Sequence, residues 1–102
     1  HLVAFELHRR MGSLWPEARL SYYRTRGGAE VDFVLEVDRE LWGIEVKASP
    51  RVDARAFSGL KALGEASRRL KRRIVVFLGP RKQVVEKSEI IPLEEFLDAL
   101  PR

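Results

Sequence analysis

The sequence predicts an α/β domain with a central mixed sheet of four to five strands flanked by helices. Short segments with apolar residues at every second position alternate with longer segments whose apolar residues recur every three or four positions. The chain has 102 residues, 45% hydrophobic and 33% charged, which suits one domain with one core. We therefore expect residues 1–102 to fold as a unit. Because the sequence starts at a histidine, we also expect it to be part of a longer chain.

The composition excludes several classes of function. The absence of cysteine excludes disulfides, thiolate nucleophiles and cysteine-ligated metal centres. No apolar run approaches the roughly 20 residues of a membrane span, and no signal-peptide pattern opens the sequence. We expect a cytoplasmic protein without a membrane partner. Side-chain ligands for a metal must come from carboxylates or histidine.

Basic residues are in excess and clustered. The formal net charge is +4 and the pI about 9.9, and DNA is the natural partner of such a surface. Solvated helix faces are the alternative explanation. The clusters are Arg9-Arg10, Arg24, Arg26, Arg81-Lys82 and the run Arg68-Arg69-Leu70-Lys71-Arg72-Arg73.

The first half of the chain predicts a helix and three strands. Helical spacing covers residues 2–11, and aromatic and β-branched residues predict a strand over 20–25. Arg26-Gly27-Gly28 then turns the chain into a second strand over 29–37, because glycine permits positive φ. The third strand covers residues 43–49.

The faces of the second and third strands predict their register. A two-residue turn at Asp38-Arg39 sets Phe33 opposite Ile44 and Asp32 opposite Glu45, and a one-residue slip would mix apolar with charged positions. Asp38-Arg39 is a poor pair for a tight turn, so a longer loop of the same parity is the alternative. One face of the second strand is expected to hold Val31, Phe33, Leu35 and Val37, with Glu30, Asp32 and Glu36 opposite.

The second half predicts a helix over residues 53–71, with Asp53 near its N-cap, and a buried strand over 74–78 that lies parallel to the third strand. Short strands are possible at 83–85 and 89–91, the second being better supported. A closing helix covers residues 93–100.

Asp32 and Glu45 form the candidate site. Two facing carboxylates repel unless they share a proton or a cation, and Mg²⁺ is commonly held by one or two carboxylates plus water and substrate phosphate. The carbonyl of Val46 adds a neutral ligand, and Lys47 is placed to stabilise a phosphodiester under attack. The alternatives are a solvated sheet face and a simple Glu30–Lys47 ion pair.

The segments Gly28-Ala29-Glu30-Val31-Asp32-Phe33-Val34 and Gly43-Ile44-Glu45-Val46-Lys47-Ala48-Ser49 resemble the core motif of the PD-(D/E)XK nuclease superfamily. That superfamily includes archaeal-type Holliday junction resolvases, and the chain more closely resembles the nuclease-like C-terminal domain of a family of prokaryotic AAA-type ATPases. The resemblance covers residues 2–97. It implies a restriction-endonuclease-like αβββαβ core. Val31 stands where the superfamily has its name-giving proline.

The resemblance implies that Asp32 and Glu45 hold Mg²⁺ or Mn²⁺, that Lys47 is catalytic, and that Glu6 adds a further ligand. A Glu6–Arg10 ion pair explains that glutamate equally well. It further implies cleavage of DNA, including branched DNA, a homodimer, and an attached or partner ATPase domain. The expected DNA contacts are His8, Arg9, Arg10, Arg24, Arg26 and Ser49, with Arg55, Lys61 and residues 68–73 as further candidates.

Two other hypotheses account for the same residues. The first is a domain that binds DNA or regulates an ATPase without cleaving anything, since a fold alone does not establish an activity. The second is a structural module whose carboxylates never bind metal.

Overall fold

In the described residues the chain forms one mixed sheet with helices packed against it. The computed structural model describes residues 3, 5, 9, 19–24, 26, 28, 30–47, 50, 52, 54–85 and 87–99. Val3, Phe5 and Arg9 are helical, as the N-terminal apolar spacing predicts. No helix in this part of the chain has the length and hydropathy of a membrane span.

The sheet has six strands, more than the four to five predicted, in the order β1-β2-β3-β4-β6-β5. The β1–β2, β2–β3 and β5–β6 pairs are antiparallel, whereas β3–β4 and β4–β6 are parallel. The predicted α/β class is therefore confirmed. The strands are β1 (Arg19–Arg24), β2 (Glu30–Val37), β3 (Glu40–Val46), β4 (Leu70–Phe77), β5 (Gln83–Val85) and β6 (Ser88–Pro92), and the helices are α1 (Arg55–Ala66) and α2 (Leu93–Ala99).

Apolar side chains cover both faces of the sheet. One core lies on the α2 side and consists of Val3, Leu35, Ile44, Ile74, Val76, Ile91 and Phe96. The other lies on the α1 side and consists of Val31, Val34, Leu60, Leu63, Val75, Phe77 and Ile90. Four consecutive residues of β4, from Ile74 to Phe77, are buried, as expected of a strand covered on both faces.

The β2–β3 hairpin has the predicted register. Val37 pairs with Glu40, Leu35 with Trp42 and Phe33 with Ile44. Asp38 and Arg39 form the two-residue turn with positive φ values of 50° and 70°. Left-handed residues at both positions match the twist of a hairpin, so the tight turn forms despite its unfavourable residues.

The boundary between α1 and β4 differs from the prediction. The helix ends at Ala66 rather than residue 71, because Ser67 is extended and its N–H bonds to Leu63 O in the last turn. β4 already begins at Leu70, whose side chain packs against the α1-side core. The basic run 68–73 is consequently a turn and a strand, not a solvated helix face.

The face predicted for Val31 is wrong. Ser21 pairs with Val34 while Tyr23 pairs with Val31, so β2 has one more residue than β1 between these pairs. Such a bulge changes which way the following side chains point. Val31 packs into the α1-side core, whereas Phe33 packs against the α2-side core.

Helix α1 lies very close to β2 at one point. A methyl group added at Gly59 would overlap the carbonyl oxygen of Glu30. Glycine is required here by the approach of two backbones. The contact fixes α1 against β2 at Glu30, two residues before Asp32.

Candidate functional site

The candidate site lies where β2 and β3 separate. Their backbone ladder ends at the Phe33–Ile44 pair. Beyond it, the N–H of Val46 donates to Asp32 Oδ2 at 2.8 Å, so a carboxylate replaces the backbone acceptor of β2. On its other side β3 remains bound to β4, since Lys47 N–H donates to Val76 O at 2.8 Å. The separated strands thus hold Asp32 beside the end of β3.

Glu45 is buried next to Asp32. It is only 6% exposed, and Gly43, two residues earlier on the same face of β3, packs under Leu60 and Leu63 of α1. Burial, a hydrogen bond to Asp32 and the charge of Asp32 together raise the pKa of Glu45 to about 8, although the charge of Lys47 acts to lower it. The predicted meeting of Asp32 and Glu45 is therefore found, but under α1 rather than on a solvated face.

The two carboxylates share a proton in this arrangement. A hydrogen bond between them requires one to be protonated, and a second negative charge is disfavoured at short range. The raised pKa identifies Glu45 as the protonated partner near neutral pH. A cation that replaced this proton would gain two anionic oxygens at once.

Val46 and Lys47 extend the site along β3. In an extended strand the N–H and C=O of one residue point to the same side. Because Val46 N–H points to Asp32, its carbonyl oxygen points towards the gap as well. Lys47 is half-buried, and its charge acts on Glu45. The site therefore combines two carboxylates, a backbone oxygen and an ammonium group.

This set of donors suits a hard divalent cation, which takes oxygen ligands and often only one or two carboxylates. No group of three or more histidine, cysteine or acidic side chains with the spacing of a metal site occurs among the described residues. Glu6, the predicted additional ligand, lies outside the described residues, as do Arg10, His8 and Ser49.

A small recess adjoins Asp32 on the β1 side. It has a volume of about 270 Å³ and is lined by Tyr22, Tyr23, Arg24, Glu30, Val31 and Asp32. A second recess shares the same residues of β1 and adds Arg26. Tyr22 is 75% exposed. In the sequence the two tyrosines predict only a strand, although aromatic residues followed by arginines are also typical of nucleic-acid surfaces.

The predicted basic contacts differ in their surroundings. Arg24 and Arg26 are exposed beside the recess, and Arg24 Nε lies 3.9 Å from Glu30 Oε1. Glu30 therefore pairs with β1, and within the described residues no ion pair joins it to Lys47. In the run 68–73, Arg69 is bound to Glu36 and Arg72 to Glu89. These two charges are compensated within the domain.

Fold and site define a mixed α/β domain with a buried carboxylate pair and a lysine at the opening between two strands. The chain belongs to the family described as a domain of unknown function, DUF4143, which matches residues 1–96. Comparisons with curated proteins and with solved structures give no match.

Proposed function

We propose that this domain is a deoxyribonuclease of the PD-(D/E)XK type that depends on Mg²⁺ or Mn²⁺. The observation that carries the proposal is the hydrogen-bonded pair of Asp32 and Glu45 where β2 leaves β3. A structural carboxylate is normally compensated by a cationic side chain or exposed to solvent. Here Asp32 and Glu45 are hydrogen-bonded to each other. Such an arrangement suits a site that binds its cation from solution.

Each residue has a definable role in this proposal. Asp32, Glu45 and the carbonyl of Val46 would hold the ion, with Glu6 as the further ligand that the resemblance implies. When bound, the ion supplies Lewis-acid stabilisation of charge on the phosphodiester oxygens. The hydrogen bond from Val46 N–H orients the Asp32 carboxylate. Glu45 gives up its proton to become a ligand. Lys47 places an ammonium group beside the phosphodiester, and Arg24 and Arg26 bind flanking phosphates.

A nicking assay on supercoiled, flapped and four-way DNA with Mg²⁺ or Mn²⁺ tests the proposal. Asp32→Asn keeps an acceptor for Val46 N–H but removes a charged ligand. Loss of metal-stabilised charge is worth several kcal/mol, so we expect nicking to fall by about 10²–10³-fold. Lys47→Met should also abolish most of the activity.

Glu40→Gln is the matched control, because Glu40 lies on the same strand and is exposed at the far, turn end. It should nick DNA like the wild type. The proposal fails if wild-type protein nicks none of the substrates with either ion, or if Asp32→Asn is as active as Glu40→Gln.

A second candidate function is DNA binding without cleavage, as in a regulatory domain of an AAA-type ATPase. The exposed Tyr22 beside Arg24 and Arg26 favours it, because a base stacks on an aromatic side chain while arginines contact the backbone. Stacking is worth about 1–3 kcal/mol per base. We therefore expect Tyr22→Ala to weaken binding of single-stranded DNA in EDTA roughly 5- to 150-fold, with Tyr22→Phe close to wild type.

Binding without nicking would identify this second function, whereas equal binding by Tyr22→Ala and wild type would contradict it. Size-exclusion chromatography with light scattering, with and without four-way DNA, tests the homodimer that the resemblance implies.

A further inference from the structure

A cavity separate from the candidate functional site lies between α1, β4 and the turn before β6. Its volume is about 580 Å³, within the range of pockets that hold small ligands. Asp32, Glu45 and Lys47 are not among its lining residues. The cavity is lined by Ala54, Phe57, Ser58, Lys61, Gly64, Glu65, Arg73, Lys87 and Ser88.

Arg73 forms part of the cavity wall. It is half-buried on β4, and in the described part of the chain no carboxylate lies within 4 Å of its guanidinium. Its neighbour Arg72, by contrast, is bound to Glu89. Partial burial of a cation without a counter-charge is unfavourable. Arg73 therefore holds a positive charge that the described residues leave uncompensated.

Gly64 of α1 provides the space that Arg73 occupies. A methyl group added at Gly64 would overlap Nη2 of Arg73 and lie 3.0 Å from Cζ. The guanidinium thus lies close to the helix, where a side chain would otherwise be. Its planar set of N–H donors suits the bidentate binding of a phosphate.

Ser88 supplies a buried hydroxyl to the same cavity. The residue is 2% exposed and lines the cavity. Lys61 and Lys87 are exposed cations of the lining, and Glu65 is its single carboxylate. The cavity therefore carries an excess of positive charge and a hydrogen-bonding group at its base.

We propose that this cavity binds a phosphate group, carried either by a free nucleotide or by a nucleic-acid backbone. A phosphate accepts hydrogen bonds from a guanidinium, ammonium groups and a hydroxyl simultaneously. It also compensates the charge of Arg73. The cavity does not include Asp32 or Glu45. The phosphate-binding proposal is therefore tested independently of the nuclease proposal.

Isothermal titration calorimetry in EDTA tests the site with three probes: inorganic pyrophosphate, ADP and a 12-nucleotide single strand. Arg73→Gln and Ser88→Ala should each weaken binding, by about tenfold or more for Arg73→Gln, since hydrogen bonds to charged groups are the stronger ones. Arg39→Gln is the matched control: it removes the same charge from an exposed turn position outside the cavity.

Gly64→Ala separates a binding role from a folding role. The added methyl group displaces the Arg73 side chain, so binding should weaken about as much as in Arg73→Gln. Alanine favours a helix more than glycine does, so the melting temperature should stay level or rise. A variant that keeps its stability but loses binding cannot be explained by unfolding.

The source of the phosphate follows from the pattern of binding. Binding of pyrophosphate and ADP that depends on Arg73 supports a free phosphorylated ligand. Binding of the oligonucleotide alone, weakened by Arg73→Gln, supports a nucleic-acid backbone. The proposal is overturned if no probe binds at millimolar concentration, or if Arg73→Gln and Arg39→Gln bind equally.

Discussion

Glu45 and Glu89 are both at least partly buried in the sheet, but their surroundings shift their pKa values in opposite directions. Glu89 accepts two hydrogen bonds from Arg72, each 2.9 Å long, and these bonds lower its pKa. Glu45 is covered by α1, and burial together with the neighbouring Asp32 raises its pKa. Arg72 also stacks on the ring of Trp42, 4.7 Å from the centroid.

The contrast separates a structural carboxylate from a candidate functional one. The charge of Glu89 is compensated by a side chain that the fold itself holds in place. The surroundings of Glu45 disfavour its ionised form, and a cation bound from solution would offset this. Three experiments test this difference between Glu45 and Glu89.

The largest expected effect is the loss of stability with rising pH that Glu45 causes. Its pKa is about 8 in the folded protein, against an ordinary value of 4.5, so the folded state keeps a proton that the unfolded chain releases. The unfolding free energy should therefore fall as the pH rises, by on the order of 3–4 kcal/mol between pH 5 and pH 9. Urea denaturation in EDTA across this range measures it.

Glu45→Gln supplies the comparison for the pH experiment, because glutamine keeps the shape but does not titrate. Its unfolding free energy should lack the decline attributed to Glu45 and exceed that of the wild type at pH 9. An identical decline in both proteins would show that another group causes it.

The next effect is stabilisation by a divalent ion. Binding to the folded state alone adds about 2.7 kcal/mol when the ion is present at 100 times its dissociation constant. We expect Mn²⁺ to raise the melting temperature of the wild type and of Glu40→Gln, and to leave Asp32→Asn unchanged. The rise should be greater at pH 8 than at pH 6, because the ion competes with the proton on Glu45. Equal stabilisation of Asp32→Asn would place the ion elsewhere.

The smallest effect is expected from Arg72→Met, which leaves Glu89 without its guanidinium. The Arg72 side chain is 37% exposed and that of Glu89 23%, so solvent weakens the pair, and Lys82 remains 3.9 Å from Glu89. We expect a loss of about 1–2 kcal/mol by urea denaturation at pH 7.

The loss in Arg72→Met should shrink as the pH falls through the pKa of Glu89. That pKa is lowered in the folded protein, so the pair stabilises the fold only while Glu89 is ionised. A difference that persists undiminished at pH 2 would assign the loss to packing against Trp42 instead.

The sequence was sufficient to predict the hairpin that carries the candidate site. Apolar and charged residues alternate along its two strands, so shifting the register by one residue would set apolar against charged positions along the whole pair. That constraint alone places Phe33 opposite Ile44 and brings Asp32 to Glu45. The α/β class follows from the same periodicities.

Other features depend on contacts that periodicity does not encode. The alternation of residues in β2 does not reveal the bulge opposite Tyr22, yet this bulge turns the Val31 side chain into the α1-side core. Leu70 fits the helical spacing of α1 as well as the strand pattern of β4, so the end of the helix was predicted too late. The burial of Glu45 depends on α1 packing over β3, which no local pattern near Glu45 reveals.

The contact between Gly59 and Glu30 also has a mechanical consequence. The two backbones touch here. No side chain that could deform therefore lies between α1 and β2 at this point. A force that slides α1 across the sheet is transmitted directly to the backbone two residues before Asp32. The position of α1 is thus coupled to that of the backbone that carries Asp32.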